Sequence, residues 1–65
     1  MNIYVNSVET QVDSTELVKV LLQLGYDNVT IATAINGDFV PLSQRHLAKV
    51  KDGDKLEVLA PMQGG

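Results

Sequence analysis

Apolar and polar residues alternate at both ends of this chain and recur at helical spacing between them. Ile3 and Val5, then Val8, Thr10 and Val12, alternate with polar neighbours on either side of Asn6-Ser7, which predicts a β-hairpin over the first twelve residues. Asp13 is placed to cap a helix, with Glu16 three residues on as its reciprocal partner. Leu17, Val20, Leu21 and Leu24 then form a stripe one helix face wide, and Gly25 supplies its stop. Val29, Ile31, Thr33 and Ile35 alternate with Thr30, Ala32, Ala34 and Asn36, and the small alanines suit a strand at the middle of a sheet, under a closely packed helix.

Asn36-Gly37 is a turn dipeptide that accepts positive φ; Phe39-Val40 reads as the returning strand, ended by Pro41. Residues 43–50 read as an irregular or short helical crossover, with Leu47 and Val50 facing inward and Arg45, His46 and Lys49 facing water. A second tight turn, Lys51-Asp52-Gly53-Asp54, leads into a last strand over residues 55–60. There Leu56, Val58 and Ala60 share the core face, which leaves Leu59 on the other side with Lys55 and Glu57. The order is hairpin, helix, strand, strand, crossover, strand, tail. That order predicts an α+β fold of the β-grasp (ubiquitin-like) kind, a mixed sheet with one main helix on one face and a flexible C-terminal Gly-Gly tail. We expect one β-grasp domain over residues 1–60 and a tail over 61–65.

Composition narrows the surroundings more than the chemistry. The chain has 65 residues, 45% of them hydrophobic and 20% charged, which suits one globular domain near the lower size limit for a self-supporting core. Its longest apolar run falls far short of the roughly 20 residues that cross a bilayer, and nothing at the N-terminus marks it for secretion, so the expected location is cytoplasmic, with no membrane partner. Cysteine is absent, which removes disulfides, thiolate metal sites and any mechanism that needs an internal thiol. A net charge of -3 argues against nucleic acid. The charge is uneven: Glu9, Asp13, Glu16, Asp27 and Asp38 face only Lys19 in residues 1–38, while Arg45, Lys49, Lys51 and Lys55 outnumber Asp52, Asp54 and Glu57 by one thereafter. A solvated face accounts for this, and a docking patch for an acidic partner is the sharper alternative.

Particular residues point further. Ala34-Ile35-Asn36-Gly37-Asp38-Phe39-Val40-Pro41 resembles the A-x-N-x-x-x-V-P segment of the sulfur carriers of thiamine biosynthesis, the ThiS family. Lys51 to Val58 is similar to that family's D-G-D turn and following strand, and Met62-Gln63-Gly64-Gly65 to its end. Asn-Gly and Asp-Gly-Asp turns are common singly, so it is their conjunction with the terminal glycines that carries the resemblance. One departure is Leu42, which stands where many members carry Arg directly after V-P.

The resemblance implies that this chain is no enzyme but a protein substrate, with Gly64 and Gly65 as its working end. The α-carboxylate of Gly65, with an ordinary pKa of roughly 3.5, is an anion and an oxygen nucleophile at neutral pH, but a poor acceptor of sulfur until activated. An E1-like adenylyltransferase of the ThiF type would activate it with ATP and Mg²⁺; the chain itself has no glycine-rich phosphate loop and should bind no cofactor. A persulfide donor would then leave a thiocarboxylate, which passes to a thiazole synthase of the ThiG type. Pro61 ends the last strand, and the five residues from it reach roughly 16 Å at about 3.3 Å each when extended, enough to thread a buried site while the body stays outside. Leu59, Met62, Phe39 and Val40 are the expected partner interface beside that tail.

Other residues point to less. His46 has no partner geometry legible in sequence and reads as solvent-exposed, and Asp52 and Asp54 flank a glycine without the remaining ligands of a calcium loop, so no metal is expected. Two alternatives stay open. The small subunit of molybdopterin synthase shares the β-grasp fold and Gly-Gly end but is usually longer and matches Asn36 to Pro41 less well. A ligand- or RNA-binding module of the TGS type resembles the chain at both turns but makes no use of a free terminus.

Overall fold

The structure is a computed structural model and describes residues 1–26 and 30–60. Two type I′-like turns, each set by an asparagine with positive φ, organise its sheet. Strand β1 (Asn2–Val5) turns through Asn6 (φ 49°) and Ser7 (φ 73°) into antiparallel β2 (Val8–Gln11). Strand β3 (Ala32–Ile35) turns through Asn36 (φ 51°) and Gly37 (φ 86°) into β4 (Asp38–Val40). Between the hairpins lies helix α1 (Leu17–Gln23), and after them a 3₁₀ helix (Leu42–Leu47) leads to β5 (Lys55–Leu59). The five strands run in the order β2-β1-β5-β3-β4, with β5 parallel to β1 and antiparallel to β3. This is the mixed sheet and single main helix of an α+β β-grasp fold.

One face of the sheet holds the core. Ile3, Val5, Leu56 and Val58 meet Leu17, Val20 and Leu21 of α1, together with Val12, Ile31 and Val50; all are buried. The helix ends as its glycine predicts. Gly25 (φ 85°) takes the left-handed conformation, its N–H reaches Leu22 C=O, and the Tyr26 N–H reaches Leu21 C=O, which satisfies two carbonyls that the helix would otherwise leave open.

The helix start differs from expectation. Asp13 does not cap it; its N–H is taken by the Gln23 side chain, and Glu16 occupies the N-cap position without a capping side-chain hydrogen bond. The cause is tertiary. Leu17 N–H donates to Ala48 C=O, Val50 N–H donates to Thr15 C=O, and Glu16 forms an isolated antiparallel bridge with Lys49, so residues 15–17 are held extended until the helix begins. Glu16 pairs instead with Lys19 at 3.1 Å.

Four further expectations are corrected by the sheet and the crossover. The middle strand is β5, with β3 beside it, because both hairpins use β5 as their common partner. Ala32 and Ala34 lie on the face away from α1: Thr33 between them is the buried residue of that strand. In the crossover Leu47 is exposed and Arg45 is 2% exposed, the reverse of the predicted arrangement. A 3₁₀ helix repeats every three residues, so Arg45 and Ala48 share the inward side and Leu47 falls between. Ala60 lies beyond the end of β5 and is exposed, not part of the core face. Val29, which the alternation assigned to β3, and the tail residues Pro61, Met62, Gly64 and Gly65 lie outside the described residues.

Candidate partner-docking face

Strand parity decides what the open face of the sheet presents. Lys55, Glu57 and Leu59 alternate with the buried Leu56 and Val58, so all three point away from the helix. Ala32 stands opposite Leu59, and Ala34 lies between Glu57 on one side and Phe39 on the other. Two alanines therefore floor a shallow hollow of about 110 Å³ that Phe39, Glu57 and Leu59 border. Phe39 is 67% and Leu59 71% exposed, and what separates them from exposed apolar side chains such as Val8, Leu22 and Leu47 is that both border one hollow. Neither the crossover nor a bulge covers Leu59.

Val40 stands apart from these two. It neighbours Phe39 in a strand and so points the opposite way, where it is half-buried and packs against the core. Thr33, its partner across the ladder, donates its hydroxyl to Val40 C=O at 3.1 Å. Of the four residues expected at the interface, Leu59 and Phe39 come together on one exposed patch, Val40 is on the other side of the sheet, and Met62 is outside the described residues, as are Gly64 and Gly65. Sequence reasoning named neither Ala32 nor Ala34 as part of this surface. The signal was present in the alternation, but it needed the pairing register to show which face the alanines occupy.

A second, more polar hollow of about 380 Å³ continues the face toward the first hairpin, lined by Tyr4, Ser7, Gly37, Lys55, Leu56 and Glu57. Tyr4 stands opposite Lys55 in the parallel ladder. The face thus passes from an apolar end near the last residues of β5 to a polar end near its start, with Glu57 shared by both. Dispersion and desolvation would hold a partner at the first end, and hydrogen bonds and charge would set its register at the second.

Polar groups fix the turn that enters β5 and the crossover that precedes it. Asp54, 7% exposed, accepts from Asn36 Nδ2 at 3.0 Å and from the Lys51 N–H at 2.7 Å. Burial pushes its carboxyl up, but these hydrogen bonds and the Lys51 charge outweigh it and leave the pKa below the ordinary carboxylate value. Asp52 accepts the Asn2 N–H at 2.8 Å, so both aspartates serve the turn. Arg45 donates from Nε to Thr33 Oγ1 at 3.3 Å and from its guanidinium to Ile31 C=O, which ties the crossover to the start of β3. His46 is exposed. Among the described residues, no three His, Asp or Glu side chains gather as a metal site would require, and no helix is long and apolar enough to cross a membrane.

Comparison with known proteins agrees with this architecture along its whole length. The chain is similar to the thiamine biosynthesis protein (ThiS) from Geobacter metallireducens, whose crystal structure superposes with a TM-score of 0.83 at 30% identity, each chain covered in full. The NMR solution structure of a thiamine biosynthesis protein from the same organism gives the same score and identity over all of this chain and 88% of the other. Among curated proteins, a thiazole synthase from Paramagnetospirillum magneticum is 36% identical over 66 residues; the chain is covered entirely but spans only 20% of that relative's length. The sequence model of the ThiS family matches residues 2–65, and the chain belongs to that family.

Proposed function

We propose that this chain carries sulfur on its terminal glycine for the formation of the thiazole ring of thiamine. The observation that carries this reading is the family match over residues 2–65, which takes in the final Gly64-Gly65 as well as the folded body. The Gly65 carboxylate attacks the α-phosphorus of ATP on an E1-like adenylyltransferase of the ThiF type, with Mg²⁺ bound by that enzyme. Pyrophosphate leaves and an acyl-adenylate forms. The terminal sulfur of a persulfide donor displaces AMP to give an acyl disulfide. A thiol then attacks the donor-side sulfur of that bond, leaving as a disulfide with the donor and releasing the thiocarboxylate, which gives its sulfur up at a thiazole synthase of the ThiG type. In this cycle the chain is substrate and carrier, and partner enzymes do the catalysis.

The open face supplies the handle. Leu59 and Phe39 give both partners an apolar surface, with Met62 following in the tail, while the carboxylate reaches ahead into a site the body does not enter. The absence of cysteine suits the acyl-adenylate, since no thiol of this chain can intercept it. The similarity to a segment of a protein named thiazole synthase favours the thiazole pathway over the molybdopterin one.

Adenylation requires a free α-carboxylate at Gly65, which makes the reading directly testable. A chain ending at Gly65 should support ATP–pyrophosphate exchange by a ThiF-type enzyme; deletion of Gly65, or one residue added after it, should abolish exchange without altering the fold. Full exchange with the extended chain would overturn the carrier reading. Productive pairing with the large subunit of molybdopterin synthase, and none with a thiazole synthase, would overturn the pathway assignment alone.

A further inference from the structure

Strand β5 outruns the neighbour that pairs with it. β1 meets β5 only at Tyr4 opposite Lys55 and Val5 opposite Leu56, whereas β5 continues to Leu59. The last backbone rung between them is the Asn6 N–H to Leu56 C=O, at 2.9 Å. Beyond it the Asn6 side chain takes over. Its Nδ2 donates to Val58 C=O at 3.1 Å and its Oδ1 accepts the Val58 N–H at 2.9 Å. A carboxamide carries the same donor and acceptor as a peptide group, so it reproduces one rung of a ladder that the backbone has already left.

The turn is what aims it. At φ 49° Asn6 is in the left-handed region, which asparagine tolerates better than most residues. The strand's other end has a corresponding device. Asn36, at φ 51°, donates its N–H to Lys55 C=O at 2.7 Å and accepts the Lys55 N–H on Oδ1 at 2.9 Å. The central strand is therefore held by a turn asparagine near each end, and the one at Val58 sits next to the docking residue Leu59 and two residues before the end of the described chain.

We infer that Asn6 is a positioning residue for the reacting terminus: by closing the last rung on the β1 side of β5, one residue before the Leu59–Ala32 pair on the other side, it fixes the point and direction at which the chain leaves the sheet. The inference rests on the carrier reading proposed above. Val58 stands opposite Thr33 and buries its side chain in the core, but its own N–H and C=O are both taken by Asn6. With the clamp gone, the end of β5 frays and the tail samples more directions from a body that is still docked, so fewer bound complexes present the carboxylate to ATP. Asn36 holds the far end and should not matter to that step.

Asn6→Gly tests this cleanly, because glycine keeps the turn's positive φ and removes only the carboxamide. Amide hydrogen exchange at Val58 and Leu59 should accelerate roughly tenfold or more while the other strands stay within about twofold. The kcat for adenylation by a ThiF-type enzyme should fall roughly five- to tenfold, with KM for the carrier changed less than about twofold. Asn6→Asp, which keeps an acceptor for the Val58 N–H and loses the donor, should fall between; Asn36→Gly should lower stability and leave kcat unchanged. Faster exchange with an unchanged kcat, or an equal loss of kcat in Asn36→Gly, would overturn the positioning role alone. A wild-type chain that is never adenylated would overturn it together with the carrier reading.

Discussion

Arg45 is 2% exposed, and its guanidinium is spent on holding Thr33 and the Ile31 carbonyl. Truncating a hydrogen-bonded buried charge removes packing and leaves its acceptors unmatched, so Arg45→Ala should destabilise the fold by about 2–4 kcal/mol, measured by denaturant unfolding. The sequence offered no sign of this burial: an arginine beside a histidine reads as surface until the three-residue repeat of the crossover is known. Leu59 shows the opposite case, legible from alternation alone because Leu56 and Val58 fix the parity of β5. Leu59→Asp should change unfolding free energy by less than about 1 kcal/mol yet weaken binding to the adenylating partner at least about tenfold, read by titration. Phe39→Asp should behave alike. Val40→Asp, one residue away, should instead cost about 2 kcal/mol or more of stability, because it places a charge against the core.

The Lys51-Asp52-Gly53-Asp54 turn and the β3–β4 hairpin act as one unit through Asp54 and Asn36. Since the folded pKa of Asp54 lies below its unfolded value, the turn's electrostatic contribution is complete above the ordinary carboxylate range, near pH 4, and is lost as pH falls through the lower folded value. Asp54→Asn should therefore be less stable than wild type by about 1–3 kcal/mol at neutral pH, and the gap should close on acidification below about pH 4, followed by urea midpoints across pH. A gap that stayed constant with pH would contradict the assignment. At this scale the hairpins and the helix body were readable, because turn dipeptides and periodic stripes are local signals. The helix start was not. Residues 15–17 are captured by the segment that ends at Val50, more than thirty positions away, and no local pattern reports such a bridge. The place of β5 at the centre was hidden for the same reason: its strand pattern is in the sequence, its two partners are not.

Across the whole molecule, the order of elements was enough to give the β-grasp architecture, since a helix between two hairpin-like units has few ways to cover one mixed sheet. The function needed something else. Fold alone serves many roles, and it was the conjunction of Asn36 to Pro41, the Asp52-Gly53-Asp54 turn and the closing glycines that pointed to a carrier. The shared exposed face of Leu59 and Phe39 was legible, while the alanine floor and the separation of Val40 required strand register. What the structure adds is a division of labour. One face buries a core that keeps the body folded, the other offers a graded surface, and β5 joins both to the segment that ends in Gly64-Gly65. The central claim is that Gly65 accepts sulfur. Intact-mass spectrometry of the chain after incubation with a ThiF-type enzyme, ATP, Mg²⁺, a persulfide donor and a thiol reductant that releases the thiocarboxylate from the acyl disulfide is the decisive test. The mass should rise by the difference between one sulfur and one oxygen atom, localised to the C-terminal glycine; an unchanged mass, while an established carrier is converted in the same mixture, would rule out sulfur transfer to Gly65.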